Sequence, residues 1–262
     1  MFVMGIVVGA LGGISGIGMQ VAAAPTMAFL LGFNEDKQKG TGIAFGLFAS
    51  AAAAIGAGYG GLHVDTSQAI VLAVGAFFGV LVAARPASQT GFGIARRIAH
   101  TLIMPLGLFV IMTGVQSRVS GTQALAVEEL RTGGGYAIIG FVAGAVSAYF
   151  QMAMGVLVVP ALIFMSALGA PKAIVTSLIV IAVASFLPAM TRAGAGQIDR
   201  GAGFWMLVGG GIGGFAGGVL LARNLQTSPI PLVSFGIIAM FLSAYTLYRN
   251  TGTDSTPKQP VE

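Results

Sequence analysis

The chain has 262 residues, of which 56% are hydrophobic and only 8% are charged, and its mean hydropathy is +0.91. A soluble domain carries about 25% charged residues, so this composition excludes an ordinary soluble enzyme, a nucleic-acid-binding protein and a disordered protein. The net charge of +5 comes from basic residues scattered one or two at a time, which fits anchoring of membrane loops. The composition therefore predicts an all-α polytopic membrane protein.

Charged residues divide the chain into charge-free stretches, and a helix needs about 20 apolar residues to cross a bilayer. Six stretches fit one helix each: 40–64, 66–84, 98–117, 173–191, 201–222 and 224–248. Two others, 1–34 and 132–171, are longer than one helix needs. Because no strand alternation is visible, every span is predicted to be helical.

The first long stretch is predicted to break near its middle, at Gly13, Gly16 and Gly18. A single helix over 5–32 would be about 42 Å long, whereas the hydrocarbon core is about 30 Å thick. Glycine also weakens a helix interior. We expect two half-helices of about 13 residues each, forming either a re-entrant hairpin or a tilted, broken span. A second break is expected in the corresponding region 147–160.

An internal duplication accounts for both long stretches. Offsets of 134 or 135 residues relate Pro25 to Pro160, Lys37 to Lys172, Thr41 to Thr176, Asp65 to Asp199 and Gly75 to Gly209. Two homologous membrane repeats are predicted, over 1–114 and 135–249, with a polar connector over 115–134 and a disordered tail over 250–262. Asp65 and Asp199 lie at span ends, where helix capping is their expected role.

The basic residues indicate how the two repeats are oriented. If each repeat is a re-entrant pair followed by three full spans, nine basic residues lie on one face of the membrane and four on the other. Eight full spans would give a seven-to-six division. Since positive residues concentrate in the cytoplasm, the first arrangement is favoured. It makes the repeats inverted, with both termini cytoplasmic, in a multi-pass protein of the cell (inner) membrane.

These features together resemble the sulfite exporter TauE/SafE family of membrane permeases. The resemblance rests on a glycine-rich run before a proline in each half, on Gly40-Thr41 and Thr176-Ser177 at the start of the next span, and on the Asp65 and Asp199 loops. It covers roughly residues 5–249. It implies transport, most naturally export, of small sulfur-containing anions such as sulfite or organosulfonates. Alternating access at a midplane site between the repeats is the expected mechanism.

The predicted substrate site is a cage of uncharged donors where the two breaks face each other. Half-helix N-termini, glycine backbone, hydroxyls and amides can hold an oxyanion and release it again. The predicted substrate-binding residues are Gly16, Gly18, Gln20, Thr41, Gln151, Gly155, Thr176 and Ser177.

No acidic residue lies inside a predicted span, so transport is expected to be uncoupled or to carry a proton on the substrate itself. No cofactor and no metal site are predicted, and the chain has no cysteine. The expected partners are the anion and the lipid bilayer, without nucleic acid; the oligomeric state stays open.

Three alternatives compete with the transporter. Gly13-Ile14-Ser15-Gly16 matches the Gly-x-Ser-Gly pattern of rhomboid-type intramembrane serine proteases, although no spaced histidine motif accompanies it. Ser15→Ala separates the cases, since it would abolish proteolysis but only weaken transport. An anion channel and a membrane scaffold that does not transport are the other two alternatives.

Overall fold

The computed structural model describes residues 1–18, 23, 27, 31–84, 93–116, 133–150, 153–165 and 168–253. Over these ranges nine helices are numbered in chain order: α1 (Phe2–Ser15), α2 (Glu35–Tyr59), α3 (Thr66–Ala84), α4 (Gly93–Gln116), α5 (Gly133–Phe150), α6 (Gly155–Met165), α7 (Ala170–Gly194), α8 (Ala202–Asn224) and α9 (Ile230–Thr253). The same ranges contain no strand, so the all-helical prediction is confirmed for them.

Five of these helices are long and apolar enough to cross a membrane, namely α2, α3, α7, α8 and α9. They account for five of the six stretches predicted to form one helix each. The sixth stretch coincides with α4, whose apolar part is the shorter segment Thr101–Met112. α1, α5 and α6 are apolar but short. The chain is therefore a multi-pass membrane protein.

The predicted connector and tail lie largely outside the described residues. Residues 117–132, which form most of the polar connector, and residues 254–262 lie outside the described ranges. The tail was predicted to begin at 250, whereas α9 continues to Thr253. Helix boundaries read from charges alone are uncertain by a few residues, which accounts for this difference.

α1 packs against α8 through glycine. A Cβ atom built on Gly9 would lie 2.9 Å from the Cα atom of Gly210, and one built on Gly13 would lie 2.7 Å from the carbonyl oxygen of Gly214. Only residues without side chains allow two helix backbones to approach this closely. The contacts advance together along the two helices, so α1 and α8 run in the same direction.

α5 and α3 form a second pair of the same kind. A Cβ atom on Gly140 would lie 2.9 Å from the carbonyl carbon of Leu72, and one on Gly144 would lie 2.9 Å from the Cα atom of Ala76. These contacts also advance together, so α5 and α3 run in the same direction.

α2 lies on another face of α8. The Phe45 ring packs over Gly210, where an added Cβ atom would collide with the ring, and Ala49 packs over Gly214. Since this order again rises along both helices, α2 is parallel to α8 and therefore to α1.

α7 occupies the centre of the bundle and contacts α2, α3 and α6. Its residues Ile174, Leu178 and Ile181 are at most 1% exposed. They join two hydrophobic clusters, one shared with α6 and α9 and the other with α3 and α5. α4 and α9 pack against each other beside this core, at Gly107 and Gly236. The first half of α7 is thus deeply buried within the described part of the fold.

Candidate functional site

The first predicted break is present. α1 ends at Ser15, and Gly16 adopts the left-handed conformation with φ +73° while its N–H donates to the Gly12 carbonyl at 2.8 Å. Gly18 is also left-handed, with φ +77°. A residue with a side chain is strained at either position, so glycine lets the chain leave the helix here. The end that α1 presents at this break is its C-terminus.

The second break separates α5 from α6. α5 ends at Phe150 and α6 begins at Gly155. A turn precedes α6, in which the N–H groups of Val156 and Leu157 donate to the carbonyls of Ala153 (3.1 Å) and Met154 (3.0 Å). The first turn of α6 is therefore already partly satisfied by its own chain, which leaves fewer free N–H groups than an uncapped helix start has.

The two breaks touch each other through their backbones. A Cβ atom on Gly155 would lie 2.7 Å from the Cα atom of Ile17 and would collide with the carbonyl oxygen of Gly16. Ile17 is fully buried. Three of the eight predicted site residues, Gly16, Gly18 and Gly155, therefore lie at or next to one junction between the halves of the chain.

α7 closes over this junction. The Ser177 hydroxyl lies 2.9 Å from the Gly16 carbonyl oxygen and 2.8 Å from the Ile174 carbonyl oxygen of its own helix, and it can donate its one proton to either. Gly18 packs against Ile181, one turn further along α7. Ser177 thus belongs to the junction, where its hydroxyl holds the broken end of α1 against α7.

Thr41 lies elsewhere, at the start of α2 beside the loop between α7 and α8. Its hydroxyl oxygen accepts from the Asp199 N–H at 3.0 Å. The Asp199 carboxylate in turn accepts from the N–H groups of Gly201 (3.1 Å) and Gly203 (2.9 Å), at the start of α8. Asp65 does the same for α3, accepting from Ser67 and Gln68. The capping role expected of both aspartates is confirmed.

The remaining predicted residues divide into two cases. Thr176 is 4% exposed, and its hydroxyl makes no hydrogen bond in the part of the chain that the structure describes. Gln20 and Gln151 lie outside the described residues. The structure thus brings Gly16, Gly18, Gly155 and Ser177 together, and it separates Thr41 from them by its bond to Asp199.

Ser15 is a buried polar residue at the junction that the predicted site leaves out. It is completely buried, and its hydroxyl has no hydrogen-bond partner. The pairing of serine and histidine that a serine protease needs is thus not seen at Ser15. The sequence signal for including Ser15 in the site is its position next to Gly16. That signal is weak, because a serine at a helix end ordinarily bonds to its own backbone.

Metal-binding and charged chemistry are not visible at the junction. Over the described ranges, no three His, Asp or Glu side chains come together in a way that could hold a metal ion. The junction residues described above are glycine, serine and aliphatic side chains. An anion held there would meet uncharged donors only.

Residues 136–261 match the family model described as Sulfite exporter TauE/SafE. The resemblance is confirmed over this range. The TauE/SafE match includes α6, α7, α8 and the second break, and it implies a membrane transporter of sulfite-type anions. No curated protein and no solved structure matched the chain.

Proposed function

We propose that this chain exports small sulfur-containing anions, such as sulfite or organosulfonates, across the cell (inner) membrane. The anion site lies where the two helix breaks meet, and alternating access exposes it to one face of the membrane at a time. The backbone contact between Gly16 and Gly155 is the observation that carries this proposal, because it joins the two glycine-rich segments of the TauE/SafE resemblance at one buried point.

Paired contacts support two homologous repeats. The offset of 135 relates Gly9 to Gly144, and the offset of 134 relates Ala76 to Gly210. The contact of Gly9 with Gly210 in α1/α8 therefore has a counterpart in the contact of Gly144 with Ala76 in α5/α3. Three more pairs obey the same rule: Gly5/Met206 with Gly140/Leu72, Gly209/Phe2 with Gly75/Ala137, and Gly213/Ile6 with Gly79/Phe141.

Helix directions support inversion of these repeats. α1 and α2 run in the same direction, as do α3 and α5. Residues 60–65 connect α2 to α3 and can reach at most about 20 Å, so they cannot recross a core about 30 Å thick. α3 must then be antiparallel to α2. Because α1 is parallel to α2 and α5 is parallel to α3, α5 is antiparallel to α1. Because α1 also starts on the face where α2 starts, a re-entrant first segment is favoured over a spanning one.

Labelling tests this topology directly, since the chain has no cysteine of its own. We expect Asp36→Cys and Pro171→Cys to react with a membrane-impermeant maleimide from opposite faces of the membrane. Reaction of both from the same face would contradict the inverted repeats.

At the junction the start of α6 and nearby hydroxyls can donate to an oxyanion, while the C-terminal end of α1 opposes tight binding and so favours release. Buried hydroxyl and backbone donors bind anions more weakly than a buried arginine, which would hold the ligand by two charged hydrogen bonds. Asp65 and Asp199 are engaged as helix caps, so neither is needed as a proton carrier. We therefore expect flux that is uncoupled or that carries its proton on the substrate.

Transport into proteoliposomes tests the function. Sulfite, sulfate, sulfoacetate and taurine are offered separately, with and without a pH gradient. We expect saturable flux of sulfite or sulfoacetate above that of empty liposomes, retained in Asp65→Asn. Absence of flux for all four solutes would remove the proposal, flux that does not saturate would indicate a channel, and loss of flux in Asp65→Asn would indicate a proton carrier.

A further inference from the structure

Two described serines, Ser15 and Ser243, have buried hydroxyls without a hydrogen-bond partner, and only Ser15 lies beside the junction. Four others donate to carbonyls of their own helix: Ser147 to Gly144 (3.1 Å), Thr191 to Pro188 (2.9 Å), Ser234 to Pro231 (2.9 Å) and Thr246 to Leu242 (2.8 Å). Ser15 is also helical, but it makes no such bond. A buried hydroxyl without a partner is destabilising, so such a group calls for an explanation.

The face of α1 that carries Ser15 points into the bundle. Ser15 follows Gly13 by two residues and therefore lies about 200° around the helix from it, away from α8. It follows Val8 by seven residues and so shares the face of Val8, which packs in a cluster with Met27 and Phe45. The hydroxyl is thus held inside the protein rather than toward lipid.

Ser15 is also the last helical residue before the junction. Its neighbour Gly16 contacts Gly155 of α6, and the Gly16 carbonyl is the acceptor that Ser177 can use. The Gly16 carbonyl therefore has a hydrogen-bond donor nearby, whereas the adjacent Ser15 hydroxyl donates to no protein acceptor. Ser15 combines complete burial, an unused donor and a position beside the contact of the two breaks.

We propose that Ser15 is a substrate-recognising residue whose hydroxyl donates a hydrogen bond to an oxygen atom of the transported oxyanion. This inference rests on the proposed function and deepens it, because it assigns a donor to the anion site. The anion supplies the acceptor that the Ser15 hydroxyl lacks among its protein neighbours. The substrate class that this residue favours is an oxyanion with an accessible terminal oxygen.

The chain offers a matched control in Ser243 of α9. Its hydroxyl is 1% exposed and also has no hydrogen-bond partner, but it lies on a different helix from the junction residues. Ser15→Ala and Ser243→Ala each remove a buried, unpaired hydroxyl, so both are expected to keep or raise the thermal stability of the purified protein. Only Ser15→Ala is expected to affect the anion.

The experiment is equilibrium binding of sulfite and sulfoacetate to the full-length protein in detergent, by calorimetry, together with thermal unfolding. A hydrogen bond to a charged group is worth enough to predict that Ser15→Ala weakens binding about tenfold or more. Ser15→Thr keeps the hydroxyl and should retain at least part of the affinity, and Ser243→Ala should bind as the unmodified protein does.

Each other outcome overturns the inference. Unchanged affinity in Ser15→Ala, while the unmodified protein binds, would show that the hydroxyl is not a ligand and would leave the proposed transporter intact. Equal weakening in both alanine variants would indicate a general packing effect. If the unmodified protein binds neither anion, the proposed function fails and this inference fails with it.

Discussion

The two helix pairs α1/α8 and α5/α3 match contact for contact, whereas the two acidic loops beside them do not. Asp199 and Asp65 each cap the helix that follows. The Asp199 loop is also tied to α2, because its N–H donates to Thr41. Thr176, which corresponds to Thr41, makes no hydrogen bond in the described residues. The two interfaces thus make corresponding contacts, whereas only the Asp199 loop is bonded to the threonine of a neighbouring helix.

The proposed transport by inverted repeats would require such a difference between the two loops. If both loops were tied in the same way, the two faces of the membrane would be closed or open together. In the proposed alternating access, the Thr41–Asp199 contact would form when one face of the membrane closes, and an equivalent contact of Thr176 would form when the other face closes. Variants can test whether the α1/α8 and α5/α3 interfaces are equally tight and whether the Asp199 and Asp65 loops differ.

Substitution of glycine at the paired interfaces should have the largest effect. In Gly213→Val and in Gly79→Val the added side chain would collide with the backbone of Ile6 and of Phe141, respectively. Overpacking typically costs about 1–3 kcal/mol and occasionally more, and here the obstacle is backbone, so we expect little folded protein by fluorescence-detected size-exclusion chromatography. Gly211→Val is the control, because nothing lies within 4 Å of its Cβ position. If only one of the two valine variants folds normally, the α1/α8 and α5/α3 interfaces are not equally tight.

Removal of the loop contact should have an intermediate effect. Thr41→Val leaves the Asp199 N–H without its partner, which costs about 1–3 kcal/mol, whereas Thr176→Val removes no hydrogen bond seen here. With a single cysteine introduced as Gln197→Cys, we expect Thr41→Val to increase maleimide labelling of the loop about fivefold or more. Thr176→Val should leave that labelling unchanged. Equal labelling in the two variants would mean that the loops do not differ.

Loss of a cap should have the smallest effect and should be similar in both halves. Asp65→Ala and Asp199→Ala each leave N–H groups at a helix start unpaired, which lowers stability by about 1 kcal/mol. Thermal unfolding in detergent should show a modest decrease for each. A much larger decrease for Asp65→Ala would contradict the view that its loop is the less constrained one.

The sequence predicts the parts of this fold that depend on local chemistry. Charge-free stretches identify the spans, because a charge inside the bilayer is costly, and Gly16 identifies the first break, because its left-handed conformation favours glycine. The capping by Asp65 and Asp199 follows in the same way from their positions at helix starts.

The sequence does not predict which partner each polar group takes. Thr41, Thr176 and Ser177 are all hydroxyl residues near the start of a span. In the structure, Thr41 accepts a hydrogen bond from Asp199, and Ser177 contacts the Gly16 carbonyl. Thr176 makes no hydrogen bond in the described residues. These outcomes depend on which distant segment lies beside each helix. Ser15 is named in the sequence only through the protease pattern and not as a substrate-binding residue, since the lack of a hydrogen-bond partner is visible only when all its neighbours are known.

The contact of Gly155 with Gly16 and Ile17 also bears on stoichiometry. No side chain separates the two breaks there, so neither can shift by an ångström without displacing the other. If the proposed anion site lies at this contact, the two breaks share one site and do not form two independent ones. The expected cargo is one anion per chain per cycle, with hyperbolic rather than sigmoidal dependence of the rate on solute concentration.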